Sequence, residues 1–280
     1  MKKNIDNLFY EQNLSPSAID FIESSKVKSY DLADFGRHIG TVMSSGYHMR
    51  QIIGTSVELG NTEKVALNTE TKNEDRVKEL RRIQNERKST RAFGKGMDLD
   101  DLSALLLNSY FVIDGSKASD RAPARRSIAS GGAVYSIDQY FINLNVVGLE
   151  RGVYYYNLQQ ERLDKLPIYD GKESLFEKRF ADAFYTNIRK DWDFDSAGGV
   201  LVSVATLSRA SCKYKDRGVR FALMDAGSIM QNVHLAAAAL DLAVCANGGY
   251  LDDQIGELLG LIEPDEIALN TMIVGRMKTE

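Results

Sequence analysis

Cysteine is nearly absent: Cys212 and Cys245 are the two in 280 residues. Two cysteines cannot build a disulfide framework, and no CxxC or Cys/His cluster suggests zinc. Proline is as scarce, with four residues, which excludes collagen-like, mucin-like and linker-dominated architectures. The three histidines, His38, His48 and His234, lack metal spacing, so no metal site is expected. No apolar run approaches the roughly 18 residues that cross a bilayer. The opening stretch to Leu14 carries Lys2 and Lys3 without an apolar segment behind them, so no secretory signal is expected. Neither sign of charge dominates: Lys+Arg is 35, Asp+Glu is 39, and the net charge is −4. No global positive field exists to hold nucleic acid or an anionic membrane. What is present is the ordinary globular balance, 44% hydrophobic and 26% charged. A cytoplasmic enzyme, or a subunit of one, is the expectation, as one large domain or two small ones.

The first 80 or so residues read differently from the rest. Ser15-Pro16 marks a helix start, Ser at the N-cap and Pro at the first helical position. A second helical stretch covers Tyr30 to Met43, and the charge run Lys72 to Ile83 reads as a solvated helix laced with ion pairs. From Asp98 the pattern sharpens. Asp98 caps a helix with the stripe Leu102, Leu105, Leu106 and Tyr110. The loop from Asp114 to Gly132 carries Arg121, Arg125 and Arg126. Strands are expected at Tyr140 to Val147, in the hairpin Gly152–Asn157 and Glu161–Leu166, and at Leu242 to Ala246 and Thr271 to Arg276. Gly199 to Leu207 is continuously apolar, the mark of a strand buried on both faces. Amphipathic helices are expected over Lys172–Ile188 and Arg217–Leu240, the second central, and a short one closes at Leu261. The pattern is α+β: a mainly antiparallel sheet flanked by helices, with a helical N-terminal extension over 1–80 and a main domain over 81–280.

Four short segments carry chemistry. Arg87, Ser89 and Arg91 alternate, so an extended backbone points two guanidiniums and a hydroxyl to one face, a match for a phosphate monoester. Ser130-Gly131-Gly132 and Gly248-Gly249 are places where a backbone approaches a flat ligand. Lys213-Tyr214 follows the buried strand; a cation beside a phenol favours the phenolate, which makes a general base. Taken singly, each also fits a blander reading, a solvated basic face or loop for the charged segments and a turn for the glycines.

In order, these segments resemble the nitroreductase-like FMN oxidoreductases, and within them the SagB-type and microcin-type azoline dehydrogenases. The resemblance covers Arg87 to Arg276. Arg87-x-Ser89-x-Arg91-x-Phe93 resembles the family's opening FMN-phosphate motif. Arg125-Arg126 through Ser130-Gly131-Gly132 to Tyr135 resembles its flavin-reaching loop, which often has flanking prolines where this chain has Ala129 and Ser136. Gly148 to Tyr156 resembles its hairpin, and Lys213-Tyr214 with Arg217-Gly218 and Phe221 to Gly227 is similar to the microcin-type members. Asn247-Gly248-Gly249-Tyr250 stands where the family's loop faces flavin N5. The resemblance implies a homodimer with FMN at the interface, Arg87, Ser89, Arg91, Ser130, Gly131, Gly132, Gly248, Gly249 and Arg276 holding FMN, and a catalytic Lys213-Tyr214 pair. It implies oxidation of thiazolines or oxazolines in a ribosomally made precursor peptide to thiazoles or oxazoles. The implied partners are a YcaO-type cyclodehydratase and its peptide-binding subunit. Two other readings stay open: an NAD(P)H-dependent nitro- or quinone reductase of the same fold, and a non-catalytic scaffold subunit of a peptide-modifying complex.

Overall fold

The computed structural model describes residues 13–53, 60, 62–67, 74–119 and 123–278; Arg121 lies outside them. The chain divides into two units, Met1–Lys26 with Ile83–Glu280, and Val27–Arg82. Helix α1 (Pro16–Ser25) starts as its sequence dictates: the Ser15 hydroxyl accepts the Ala18 N–H at 3.3 Å. In the second unit, α2 (Leu32–Ser44) and α3 (Gly46–Ile53) are separated by an extended Ser45. The sequence reading missed α3. Helix α4 (Glu74–Glu86) is the solvated charged helix expected, with Lys78–Glu74 at 2.7 Å and Arg82–Glu79 at 2.8 Å.

The rest of the chain builds a sheet with helices on it. After β1 (Phe93–Gly94), Asp98 and Asp101 form a reciprocal capping box on α5 (Leu99–Ser109), whose Leu102 and Leu105 are fully buried. Burying such a leucine contributes about 2 kcal/mol each. Strand β2 (Ile137–Asn143) ends four residues before the expected Val147. The cause is Asn143, whose Oδ1 accepts the Val146 N–H and whose Nδ2 donates to the Leu149 and Glu150 carbonyls, which turns the chain. The hairpin β3 (Gly152–Asn157) and β4 (Arg162–Lys165) follows as read. The expected single helix over Lys172–Ile188 is two, α6 (Glu173–Ala183) and α7 (Thr186–Asp191). Phe184 breaks it: its backbone is extended, and its ring joins Phe180 and Phe194 at 5.2 Å each.

Strand β5 (Gly199–Thr206) is buried at all eight positions. It leads into α8 (Leu207–Tyr214), a helix the sequence reading left out, and then α9 (Arg217–Ala239). Strand β6 (Leu242–Asn247), α10 (Asp252–Leu259) and β7 (Glu266–Met277) complete the chain. The seven strands named here pair antiparallel, in the order β1-β7-β5-β2-β3-β4, with β6 also on β7. The continuous apolar run of β5 is explained by cores on both faces. Leu201 and Ala205 enter the core under α5 and α9, while Val200, Val202 and Val204 enter the aromatic core under α6 and α10. Among the described residues no helix is long and apolar enough to cross a membrane.

Candidate functional site

The nominated residues fall into two groups and one residue apart. The first group forms where α8 ends. Helix α8 has no side-chain cap of its own. Its first N–H groups are taken by Asp265, far along the chain: the Ser208 N–H and hydroxyl donate to its carboxylate at 2.6 and 2.8 Å, and the Leu207 N–H to its carbonyl at 2.8 Å. The helix packs tightly on α9, since a Cβ at Gly218 would stand 2.7 Å from the Ala210 carbonyl carbon. Only glycine fits there. The result places Lys213 and Tyr214 over the Ser130-Gly131-Gly132 loop.

Lys213 Nζ donates to the Gly132 carbonyl at 3.0 Å, and lies 5.4 Å from the Tyr214 ring. Phe221 of α9 meets Tyr214 edge-on, ring centroids 4.8 Å apart. Gly132 sits at φ 60°, and a Cβ there would fall 1.9 Å from Tyr214 Oη. The loop is held from below by Asp225 of α9. The Ser130 hydroxyl donates to Asp225 at 2.6 Å and accepts the Tyr135 N–H at 3.0 Å, and the backbones of Gly131 and Ser136 also bond Asp225. Burial pushes the Asp225 carboxyl up, against the pull of Ser130 and Arg126. Gly132, Ala133 and Tyr135 all have positive φ, so the loop is held in a left-handed path that two non-glycine residues adopt under strain. The fixing that flanking prolines would supply comes here from Asp225. Beside the loop, Arg126 lies over Tyr135 at 4.9 Å and donates to the Tyr110 hydroxyl, whose pKa burial pushes up to about 12 against Arg126.

The second group lies along β6. The Thr90 N–H donates to the Val244 carbonyl at 3.0 Å, which lays residues 87–91 beside that strand. Ser89 hydrogen-bonds Cys245, whose thiol burial pushes up against the nearby Arg91. The Arg91 guanidinium stacks over Trp192 at 4.8 Å. Lys88 and Thr90 face a separate cavity that His234 and Leu242 also line. Arg87 still closes the last turn of α4, its N–H bonded to the Ile83 carbonyl at 3.0 Å. Two residues beyond Cys245, strand β6 ends at the buried Asn247. Its Oδ1 accepts the Gly249 N–H at 2.8 Å, and its carbonyl accepts the Thr271 hydroxyl at 2.8 Å. Its Nδ2 is buried without a partner. Gly248 lies between Asn247 and Gly249, just past the strand.

Arg276 stands apart. Its guanidinium donates to Asp101 at 2.7 Å and Asp98 at 3.0 Å, the capping pair of α5. The sequence reading quoted Phe221 and Asp225 only inside the motif Phe221 to Gly227, and Asn247 only inside Asn247 to Tyr250, and nominated none of them as a site residue; it did not nominate Trp192 either. Phe221 and Asp225 lie one and two helical turns beyond Arg217 on one apolar helix, a spacing that points to one face; Trp192 had no sequence signal of its own.

A sequence model described as the nitroreductase family matches residues 85–276. Among curated proteins, MJ1384 of Methanocaldococcus jannaschii, named as a nitroreductase, is 28% identical over 191 residues, 68% of this chain and 87% of that protein. The microcin B17-processing protein McbC of Escherichia coli is 27% identical over 172 residues, 59% of this chain and 57% of McbC. The trifolitoxin-processing protein TfxB of Rhizobium leguminosarum is 27% identical over 154 residues, 54% of this chain and 40% of TfxB. The match therefore spans about half the length of the two peptide-processing relatives. Among solved structures, a chain of the E. coli microcin synthetase McbBCD complex with truncated pro-MccB17 bound superposes with TM-score 0.66 at 19% identity, covering 95% of this chain and 96% of that one. At that identity the likeness establishes the fold.

Proposed function

The chain belongs to the nitroreductase family, and on that premise we propose that it is an FMN-dependent azoline dehydrogenase. It oxidises thiazoline or oxazoline rings of a ribosomally made peptide to thiazoles or oxazoles, as a homodimer beside a YcaO-type cyclodehydratase and its peptide-binding subunit. The observation that carries the reading is the Lys213–Tyr214 pair packed on the Ser130-Gly131-Gly132 loop, with Lys213 bonded to Gly132. Support comes from the similarity to McbC and TfxB, both named for toxin-peptide processing. The neighbouring structure, a synthetase complex with a pro-peptide bound, adds to it.

The residues present fit FMN. Asn247 offers a buried amide donor with no partner at the end of β6. Ser89 and Arg91 flank Thr90, which bonds that strand, and with Arg87 they would form the set suited to a phosphate monoester. Arg276 is already matched by two carboxylates, so it holds FMN only by giving up Asp98 and Asp101. Gly249 spends its N–H on Asn247, which leaves Gly248 as the backbone donor of that pair. When bound, FMN supplies a two-electron acceptor.

In this reading Tyr214 Oη removes the proton from the azoline ring carbon next to the peptide carbonyl. Lys213 stabilises the phenolate form of Tyr214 that takes this proton, and the charge developing on the ring as the proton leaves. Its bond to the Gly132 carbonyl fixes the ammonium at the loop, and Phe221 fixes the Tyr214 ring. Asp225 keeps the loop shaped to receive a flat ring. The second reading is an NAD(P)H-dependent reductase, favoured by the naming of MJ1384.

The test begins with an absorption spectrum of the purified protein and identification of any released chromophore. FMN at about one per chain supports the reading. No flavin, and none taken up from added FMN, overturns it and leaves the scaffold reading in front.

A further inference from the structure

We propose that α1 is a positioning element for the Lys213–Tyr214 pair, acting through the hydrogen bond between Ser15 and Asp216 across the turn that follows Tyr214. The inference rests on the catalytic reading of that pair. Three observations carry it.

The first is the turn itself. Between Tyr214 and Asp216, Lys215 has φ 49° and ψ −138°, a region that residues other than glycine rarely occupy. The turn closes tightly: the Lys215 N–H bonds the Ser211 carbonyl at 2.7 Å, and the Gly218 N–H bonds the Lys215 carbonyl at 2.9 Å. Strain of this kind persists only where neighbouring contacts over-determine it.

The second is Asp216. It stands at the N-cap of α9, where aspartate ordinarily accepts an N–H of its own helix, yet its side chain makes no such bond. Its carboxylate instead accepts the Ser15 N–H at 2.7 Å, 201 residues away in sequence. That contact holds its carboxyl below the usual range, through the Ser15 backbone first and the Ser15 hydroxyl second.

The third is that α1 is anchored independently at its other end. Lys26 is buried among Glu263, Asp253 and Glu23 at 2.8, 3.2 and 3.0 Å. These contacts tie α1 to α10 and to the segment before β7. Ile22 enters the main core. A helix fixed at the far end, with its first amide on Asp216, fixes the turn, and the turn fixes the two residues before it. Asp216 is a positioning residue: it acts through the backbone of Lys215 on Tyr214 and Lys213.

The test uses the full chain loaded with FMN and a synthetic peptide carrying one thiazoline ring. Ser15→Pro removes the N–H donor, Asp216→Ala removes the acceptor, and Asp216→Asn keeps an acceptor oxygen. The expected result is kcat lowered about tenfold in Ser15→Pro and Asp216→Ala, with KM for the peptide unchanged, because a small misplacement of reacting groups costs this much or more. Asp216→Asn restores most of it. A second readout needs no turnover: trypsin cleaves after Lys215 faster in Asp216→Ala than in the wild type or Asp216→Asn. Wild-type kcat and trypsin resistance in both disrupting variants overturns the proposal. Tyr214→Phe, run alongside, separates the two ways of failing. If it turns over normally, the catalytic reading has failed and the proposal with it. If Tyr214→Phe is dead while Asp216→Ala is normal, the positioning role alone has failed.

Discussion

The end of α8 and the segment 87–91 are built in opposite ways. The common face expected of Arg87, Ser89 and Arg91 rests on local alternation, with a backbone bond from Thr90 to Val244 seating the segment beside β6. Lys213 and Tyr214 owe their place to groups distant in sequence. Asp265 holds the start of α8, Gly218 admits α9, Phe221 props the ring, and Asp225 shapes the loop beneath. A group that binds an anion tolerates some freedom, since charge acts over distance. A group that moves a proton must sit within hydrogen-bond reach of it. The difference in construction matches the difference in proposed task.

That comparison breaks most sharply at the pair itself. Tyr214→Phe and Lys213→Ala are each expected to lower azole formation about 100-fold or more, the scale of general acid–base catalysis, with FMN still bound. Gly132→Ala should do comparable damage, because its Cβ would stand 1.9 Å from Tyr214 Oη at a φ of 60°. Peptide turnover and flavin content, measured together on each variant, check this. Arg87→Ala and Arg91→Ala should show the reverse split. FMN affinity falls about tenfold or more for each, read by flavin fluorescence titration, while turnover at saturating FMN stays near the wild type.

Much of the main unit was legible in the sequence. The capping box at Asp98, the two-sided burial of β5 and the hairpin β3–β4 follow from local pattern. What escaped has a non-local cause. Helix α8 carries no cap of its own, and Asp265 supplies one from the segment before β7. The break after α6 comes from Phe184 joining an aromatic cluster that includes Phe194. The early end of β2 comes from one asparagine bonding three backbone groups. At the site, the motif order pointed to Ser130-Gly131-Gly132 and Lys213-Tyr214, but no local pattern says that they touch. Nor does any pattern show that Arg276 is engaged by Asp98 and Asp101.

Two smaller effects sharpen the contrast. Asp265→Ala leaves the buried Ser208 N–H and hydroxyl without their acceptor. It is expected to cost about 1–3 kcal/mol in denaturant unfolding and to lower turnover through α8, with FMN affinity unchanged. Asp225→Asn tests the loop by pH. The folded carboxyl is pushed above its unfolded value. The wild type therefore loses stability relative to the variant as pH rises from about 4 through the raised value. The stability cost of Asp225→Asn should be largest in acid and shrink towards neutral pH, as thermal unfolding across that range would show.

The most direct measurement mixes the FMN-loaded protein, without oxygen, with the thiazoline peptide in one arm and NADPH in the other, and follows the flavin absorbance. If Tyr214 is the base of an azoline dehydrogenase, the peptide bleaches the flavin in the wild type and fails to in Tyr214→Phe, and NADPH bleaches it slowly in both. Rapid bleaching by NADPH, with none by the peptide, would contradict that assignment and make the protein a reductase.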